Sequence, residues 1–576
     1  MPLEIPRSAA LTTFTIKLNG QPMNGTFGVL ALEVSQSVGR IPYAHIVLQD
    51  GDTATQTFPI SEADDFVPGA EITLDLGYDR DETLVFKGIV TRHRIEAPQG
   101  GASRLHIEAK HACFRMAHAR KSRVWVETTD ADALGDLAAV QGLSFDGSST
   151  ATRPQLVQHQ ASDWDFAVTR AENIGQVLLA DDSGLRMFTP DPAAPPVKPL
   201  EYGINLFAFN LELDAEQQPA SIETGAWTAG DAAITLAEAE GDAVPGPGNL
   251  SGGDLGDVST LKPRPRHPGA RDQAELDDWA RAAVLRRRLA AVSGSVEIQG
   301  TGEIIPGQTV ELKGMGARFN GTAFVSGLRH SVTRGDWRTI LQIGIDPRLH
   351  HEVHDISAPP AAGLMPAITG LQIGTIDALQ GDPAGEERVS VLIATETESA
   401  EPVWARPMSI GGGADRGLVM LPEIGDEVLL GFLDGDPRDP IMLGGLHSSA
   451  AASPFPGADE NHQKGIASRK GMKITFDDDP VTMVLETPNG NKITLSDADG
   501  GIIAEDENGN LIKTGSGGIE MSSPKDIKIS ATGDVKIEGV NIKIAAQAEV
   551  AAEGSAGAKL ESSGQTSVKG SVVMIN

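Results

Sequence analysis

The last hundred or so residues, 469–576, constrain this chain most, because there the sequence stops resembling an ordinary globular domain. In residues 525–544, KDIKISATGDVKIEGVNIKI, apolar side chains come in pairs: Ile527 with Ile529, Val535 with Ile537, and Ile542 with Ile544. Lys528, Lys536 and Lys543 separate the members of each pair. A period of two predicts short strands with one apolar and one charged face. The pairs recur at a step of seven or eight residues and continue more weakly through Val550 with Ala552, Ala558 with Leu560, Thr566 with Val568, and Val573 with Ile575. Gly, Asn, Asp and Ser between the blocks supply turns. Such a chain reads as a repeat solenoid.

Each of these strands points only about three residues inward, too few to close a core around one chain. A single-chain parallel β-helix takes on the order of 20 residues per coil, so a step of seven or eight suits a third of a coil. Three copies wound together would bury the Ile/Val stripe on a common axis, pair every strand edge with a neighbouring chain and leave Lys, Asp and Glu outside. The expectation is an intertwined homotrimeric β-helix, or β-prism, over residues 469–576, with Ile527, Ile529, Val535, Ile537, Ile542 and Ile544 as its trimer core. A β-meander in a monomer would leave long unpaired edges. A disordered tail would not need so regular a placement of Ile and Val.

The bulk numbers narrow the function classes. The 576 residues leave room for about four domains. A formal charge of -32 argues against nucleic acid as a partner, because phosphate binding needs a Lys/Arg surface. The single cysteine, Cys113, allows no intrachain disulfide, fits folding in a reducing compartment, and reads as a buried, inert thiol. The first residues, MPLEIPRSAALTTF, lack the basic-then-apolar pattern of a signal peptide. No run approaches the roughly 18 apolar residues of a membrane span.

Taken in order, the chain reads as mainly β. Residues 1–115 show alternating runs such as EITLDLGY, which predict a first β-barrel. Residues 116–200 read as a small α/β insertion with two helices, the second capped at Ser162 or Asp163, followed by the strand pair QVLLADD and GLRMF. Residues 201–349 predict a second barrel carrying the strongest helix, 271–291, acidic early and basic late. Within that span, residues 200–260 give little pattern, and the Gly/Pro-rich GDAVPGPGNLSGGDLGD reads as a loop. A linker rich in Pro and Ala follows at 350–365. Five strands over 366–448 fit a Greek-key barrel of the oligonucleotide/oligosaccharide-binding (OB) type. A neck linker at 449–468 leads to the needle at 469–576.

Three clusters invite a chemical reading, and each has a plainer one. HHEVH (His350, His351, Glu352, His354) lacks the His-Glu-x-x-His spacing that puts two ligands and a general base on one helix face, and fits a solvated surface run. FDDDP (Asp477 to Asp479) and DGDPRD (Asp434, Asp436, Asp439) lack the closing Glu of a calcium loop, and Asp is common in turns. No phosphate-binding Gly-x-x-x-x-Gly-Lys loop is present in the sequence. The expectation is therefore a protein with no catalytic residues, no cofactor and no metal ligands.

At this point several motifs, in order, resemble one family. The run PEIGDEVLLGFLDGDPRDPIMLGGLHS, preceded by VWARP, resembles the barrel of VgrG proteins and of the tail spikes of contractile phage-like injection machines. IASRKGMKITFDDDP, TPNGNKITLSD, ENGNLIKT and SPKDIKISATGDVKIEG resemble the neck and β-helix of the same family. VFKGIVTRH, SDWDFAVTRAENIG and PGQTVELKGMGARFNGTAFVSGLRHSV resemble its phage-hub-like part. The resemblance implies a homotrimeric central spike whose hub barrels adapt a three-fold needle to a six-fold tube. It also implies inner tube and baseplate proteins as partners, effector cargo, transient contact with a target membrane, and synthesis in the cytoplasm before release on firing. Some family members carry an enzyme domain between barrel and needle or after the needle. The gap from Ser448 to Gly465 is too short for one, so an unarmed spike is expected. The apolar end, Val572, Val573, Met574, Ile575 and Asn576, is expected to dock a separate conical tip protein of the PAAR type. The alternative class is a trimeric β-helical depolymerase of surface polysaccharide. That would need aromatic platforms and paired carboxylates, and from Arg469 onward the only aromatic residue is Phe476.

Overall fold

A computed structural model describes residues 11–241, 244–395 and 401–575. It divides into two compact units, 1–367 and 368–576. The fold is mainly β, as the alternation predicted.

In the first unit, thirteen strands share one hydrogen-bonded sheet. Its path runs from Leu206–Leu213 at one end, through Val292–Gln299, Asp336–Ile343 and Gly321–Thr333, into Val29–Ser37, and ends at Thr12–Leu18 and Gln21–Pro22. The residues expected to form two barrels do keep two cores. One gathers Ile46, Ile72, Phe86 and Ile107, the other Val296, Val310, Val325 and Leu341. They are not separate sheets, because Gly321–Thr333 pairs antiparallel with Val29–Ser37, Gly327 opposite Ser37 and Thr333 opposite Ala31. That pairing spans some three hundred residues of sequence, and no local pattern signals it.

The insertion carries helices α1 (Asp130–Val140) and α2 (Asp163–Asn173). The Ser162 hydroxyl accepts from the Asp165 N–H and so caps α2. The strands Val177–Asp181 and Gly184–Phe188 pair as expected. Cys113 is fully buried among Leu134, Trp164 and Leu178, and burial pushes its thiol pKa far up. In the stretch with little pattern, Ser221–Thr228 and Ala233–Glu240 form a hairpin whose Ala226 and Ala237 pack against Leu276. The expected loop there contains α3 (Gly252–Ser259), because Ser251 and Asp254 form a reciprocal capping box. Asp242 and Ala243 of that stretch lie outside the described residues. The strongest predicted helix is α4 (Gln273–Ala290), capped by Asp272.

One expectation fails at residue 350. The HHEVH run is not solvated at its start: α5 (His350–Val353) packs on α2. His350 is buried, its Nε2 lies 2.8 Å from Asp165 Oδ1, and its N–H donates to Glu172 at 2.8 Å. The partners lie more than 170 residues away, so composition alone suggested solvent.

The second unit opens with a closed five-stranded barrel: Gln372–Ala378, Val389–Ile393, Val403–Pro407, Glu427–Phe432 and Pro440–Gly445. Ile376, Val391, Ala405, Val428 and Leu430 fill it. Among the described residues no helix is long and apolar enough to cross a membrane.

A buried histidine makes the first unit sensitive to acid. His330 is 3% exposed. Its Nδ1 lies 2.9 Å from the Thr339 hydroxyl and accepts from Trp337 Nε1 at 3.4 Å. Burial lowers its pKa to about 4, so the unfolded chain takes up a proton first. Stability is complete above about pH 6.5 and falls as the pH drops toward 4, by up to about 3 kcal/mol. We predict that the urea midpoint of this unit, read by tryptophan fluorescence, falls between pH 7 and 5, and that His330→Gln flattens the slope. An equal slope in both proteins would contradict the assignment.

Candidate functional site

The candidate site is a surface rather than a cleft. Residues 463–522 fold into seven strands, Gln463–Ala467, Lys473–Asp477, Thr482–Glu486, Lys492–Ser496, Gly501–Glu505, Leu511–Gly515 and Gly518–Ser522. Each pairs antiparallel with its sequence neighbour. This corrects two expectations. The first strand lies inside the expected neck linker, and these strands pair within one chain rather than with neighbouring chains. The reason is spacing. The second to sixth strands begin nine or ten residues apart, which leaves four or five residues for a hairpin turn. Gly490 and Gly509, each after an Asn, take positive φ in two of those turns.

The register gathers most of the large apolar side chains on one face, with Val484, Ile503 and Leu511 on the other. Ile466, Ile474, Leu485, Ile493, Ala504, Ile512 and Met521 stand opposite one another in turn across the seven strands. Phe476, Met483, Leu495 and Ile502 form a second row on the same face. On the other face Lys473, Glu486, Lys492 and Glu505 are successive cross-strand neighbours of alternating charge. The sheet is a single layer. Among the described residues no second layer covers its apolar face, so Ile493 and Ile512 stay nearly half exposed. A sheet with one apolar face must bury it against another layer.

Beyond Ser522 the chain changes again. Residues 523–575 contain no strand among the described residues. Among the described residues none pairs with this stretch as a strand, so its alternating blocks find no partner within the chain. Ile527, Ile529, Val535, Ile537, Ile542 and Ile544 are between 51% and 76% exposed. Ile527 lines the same groove of about 730 Å³ as Met472, Ile474, Leu485, Ile493 and Ile512, so the tail stripe begins where the uncovered face ends. Lys536 pairs with Glu538, and Lys559 with Glu561, within one chain. Val572, Val573, Met574 and Ile575 are exposed at the end, and Asn576 lies outside the described residues.

The sequence reading missed the meander's apolar face as a site, although KITF, TMVL and KITLS carry the alternation that would have found it. The acidic clusters close turns. Asp436 takes a two-point contact from Arg438, which lowers its pKa to about 2, and Asp477 accepts from the Asp479 N–H at 3.2 Å. Among the described residues no group of three or more His, Cys, Asp or Glu could hold a metal ion.

Comparison with known proteins matches three family models in series. They are the Alg8 N-terminal domain over residues 8–334, the type VI secretion system/phage-baseplate injector OB domain over 372–447, and the phage baseplate V C-terminal trimerisation domain over 482–576. Two relatives from Pseudomonas aeruginosa are similar over shorter spans. Type VI secretion system spike protein VgrG2a is 30% identical over 141 residues, 23% of this chain and 16% of the relative. Type VI secretion system spike protein VgrG5 is 29% identical over 145 residues, 20% of this chain and 18% of the relative. The chain thus matches less than a fifth of the length of these curated relatives. Among solved structures, a tail protein from Neisseria meningitidis is 15% identical, with a TM-score of 0.44 over 58% of this chain and 97% of that one.

If the apolar face joins copies, a charge there is buried without a partner, at about 3 kcal/mol or more per chain. We predict that Ile493→Asp lowers the temperature at which the full-chain oligomer dissociates by at least 10 °C, while Lys513→Asp, at an exposed position of the other face, shifts it by less than 3 °C. Equal effects would refute the assignment of faces.

Proposed function

The chain belongs to the family of VgrG and contractile phage tail-spike proteins, and from that premise we propose that it is the homotrimeric central spike of a contractile injection machine. One observation carries the reading: a single-layer sheet with an uncovered apolar face runs directly into an alternating Ile/Val tail that has no strand partner in its own chain. Each Ile or Val buried fully between copies contributes roughly 1.5–3 kcal/mol, and the six core positions occur once in every chain. The match of residues 482–576 to a trimerisation domain supports three copies. The tail then forms an intertwined β-helix, with the Lys/Glu pairs outward.

On this reading the work is mechanical. A contracting sheath elsewhere supplies the force, and a needle held by interchain pairing cannot bend or fray without breaking three chains' contacts together. The 1–367 unit meets the inner tube and baseplate proteins, and the C-terminal end carries a conical tip protein or effectors. The spike is made in the cytoplasm, assembled into the particle and released on firing, touching the target membrane only in passage. The curated relatives are named as spike proteins, which favours this reading over a depolymerase. Phe476, the one aromatic residue of the needle, sits on the apolar face opposite Met483, where a second copy would cover it from sugar.

The test is release of the inner tube protein into the medium by the native host. Deleting this gene should reduce release at least tenfold; the wild-type chain should restore it, and the Ile529→Asp/Ile537→Asp chain should not. Full release by that variant would contradict the spike role. Separately, a chain lacking residues 572–576 should still trimerise but lose the tip protein in pull-down. Undiminished recovery of the tip protein would remove those residues from its docking site.

A further inference from the structure

A second apolar surface lies on the barrel, away from the residues assigned to the trimer core. The connection between Val403–Pro407 and Glu427–Phe432, residues 408–426, is longer than most loops without secondary structure, and loops of that length are usually functional. It exposes Met408, Ile410, Val419, Met420 and Ile424, with Ile410 at 74% and Val419 at 75%. Such a contiguous apolar patch marks an interaction site on a folded domain.

The exposure does not come from a slack backbone. The Leu418 N–H donates to Ile410 O at 3.1 Å, the Ser409 hydroxyl donates to Leu418 O at 2.7 Å, and Gly413 and Arg416 exchange two backbone hydrogen bonds. At its two ends the loop is tied to the barrel by the Met408 N–H on Met442 O and the Gly425 N–H on Ile376 O. The loop is therefore formed in advance with its apolar side chains outward. Ordering it again on binding carries little entropic penalty.

We infer that this loop is a preformed contact between copies of this chain, a second part of the trimer interface that rests on the spike reading above. Two observations select a second copy as the occupant. Arg469 Nη1 lies 2.5 Å from Glu423 Oε2, which ties the loop to the turn that opens the strand Lys473–Asp477. The loop is thus continuous with the start of the uncovered sheet through which copies meet. The second observation is charge. Copies of a chain with a formal charge of -32 repel one another, so they can approach closely only where local charge is absent. Residues 417–422, GLVMLP, carry none. Three of the loop's other charges are engaged at home, Glu423 with Arg469, Asp426 with the Glu423 N–H and Arg416 with Gly411 O, and the fourth, Asp415, lies outside the uncharged run.

The test places a benzophenone amino acid at Val419 in the full chain, and at exposed Ala384, in a different loop of the barrel, as a control. Both proteins are irradiated after native mass spectrometry. The expected result is chain-to-chain adducts in at least a third of the Val419 material and less than a tenth of that from Ala384. A trimer by mass that gives no adduct from Val419 overturns the inference and leaves the spike reading intact. A monomer by mass overturns both. Irradiation in the native host that yields an adduct only with a different protein assigns the loop to that protein instead, and overturns the inference.

Discussion

A single sheet cannot bury its own apolar face, and this protein has such a sheet. Seven strands pair within one chain, yet the register puts the row from Ile466 to Met521 on one side, with none of the described residues layered over it. The backbone is satisfied and the side chains are not. The following residues reverse the division: their alternation prepares a strand face, but no described residue of the chain pairs with it. Both shortfalls have one remedy, more copies of the same segment arranged about an axis. The alternating Lys/Glu rows on the opposite face then meet water, where a strongly acidic chain needs local neutrality if copies are to approach.

The first unit solves a different problem. Its thirteen strands hold two cores on one hydrogen-bonded path, and buried charge pins the inserted α/β layer. Asp130, fully buried, accepts from both Arg153 and Arg170. Arg153 also reaches Asp278 on α4. Removing one partner from such a cluster leaves an uncompensated charge, so the cluster fixes the layer's position more than it adds net stability. The start of the linker is held in the same manner, by His350 on Asp165 and by Arg120 on the carbonyls of Asp355 and Ile356.

Local signals in the sequence were readable and long-range ones were not. Ser162 announced α2, because capping is settled within three residues, and the acidic-early, basic-late charge order announced α4. The five barrel strands were legible for the same reason, each being alternation bounded by turns. The helix at Gly252–Ser259 was hidden by its glycines, although Ser251 and Asp254 were its signature. His350 read as solvated because Asp165 and Glu172 meet it only through the fold. For the candidate surface, the Ile/Val pairs from Ile527 to Ile544 were visible as a stripe needing partners. The meander carries the same alternation, which looks identical at a step of seven or ten. Asn-Gly at Gly490 and Gly509 marks two of the meander's turns, and residues 523–575 contain no Asn-Gly pair.

The central claim is that residues 463–575 join three chains. Native mass spectrometry of the full chain beside a chain ending at His462 tests it most directly. The account predicts three times the chain mass for the full protein, with the shortened one falling to a monomer or a weakly held oligomer. A full chain that stays monomeric, with its Ile/Val stripe in water, would contradict it.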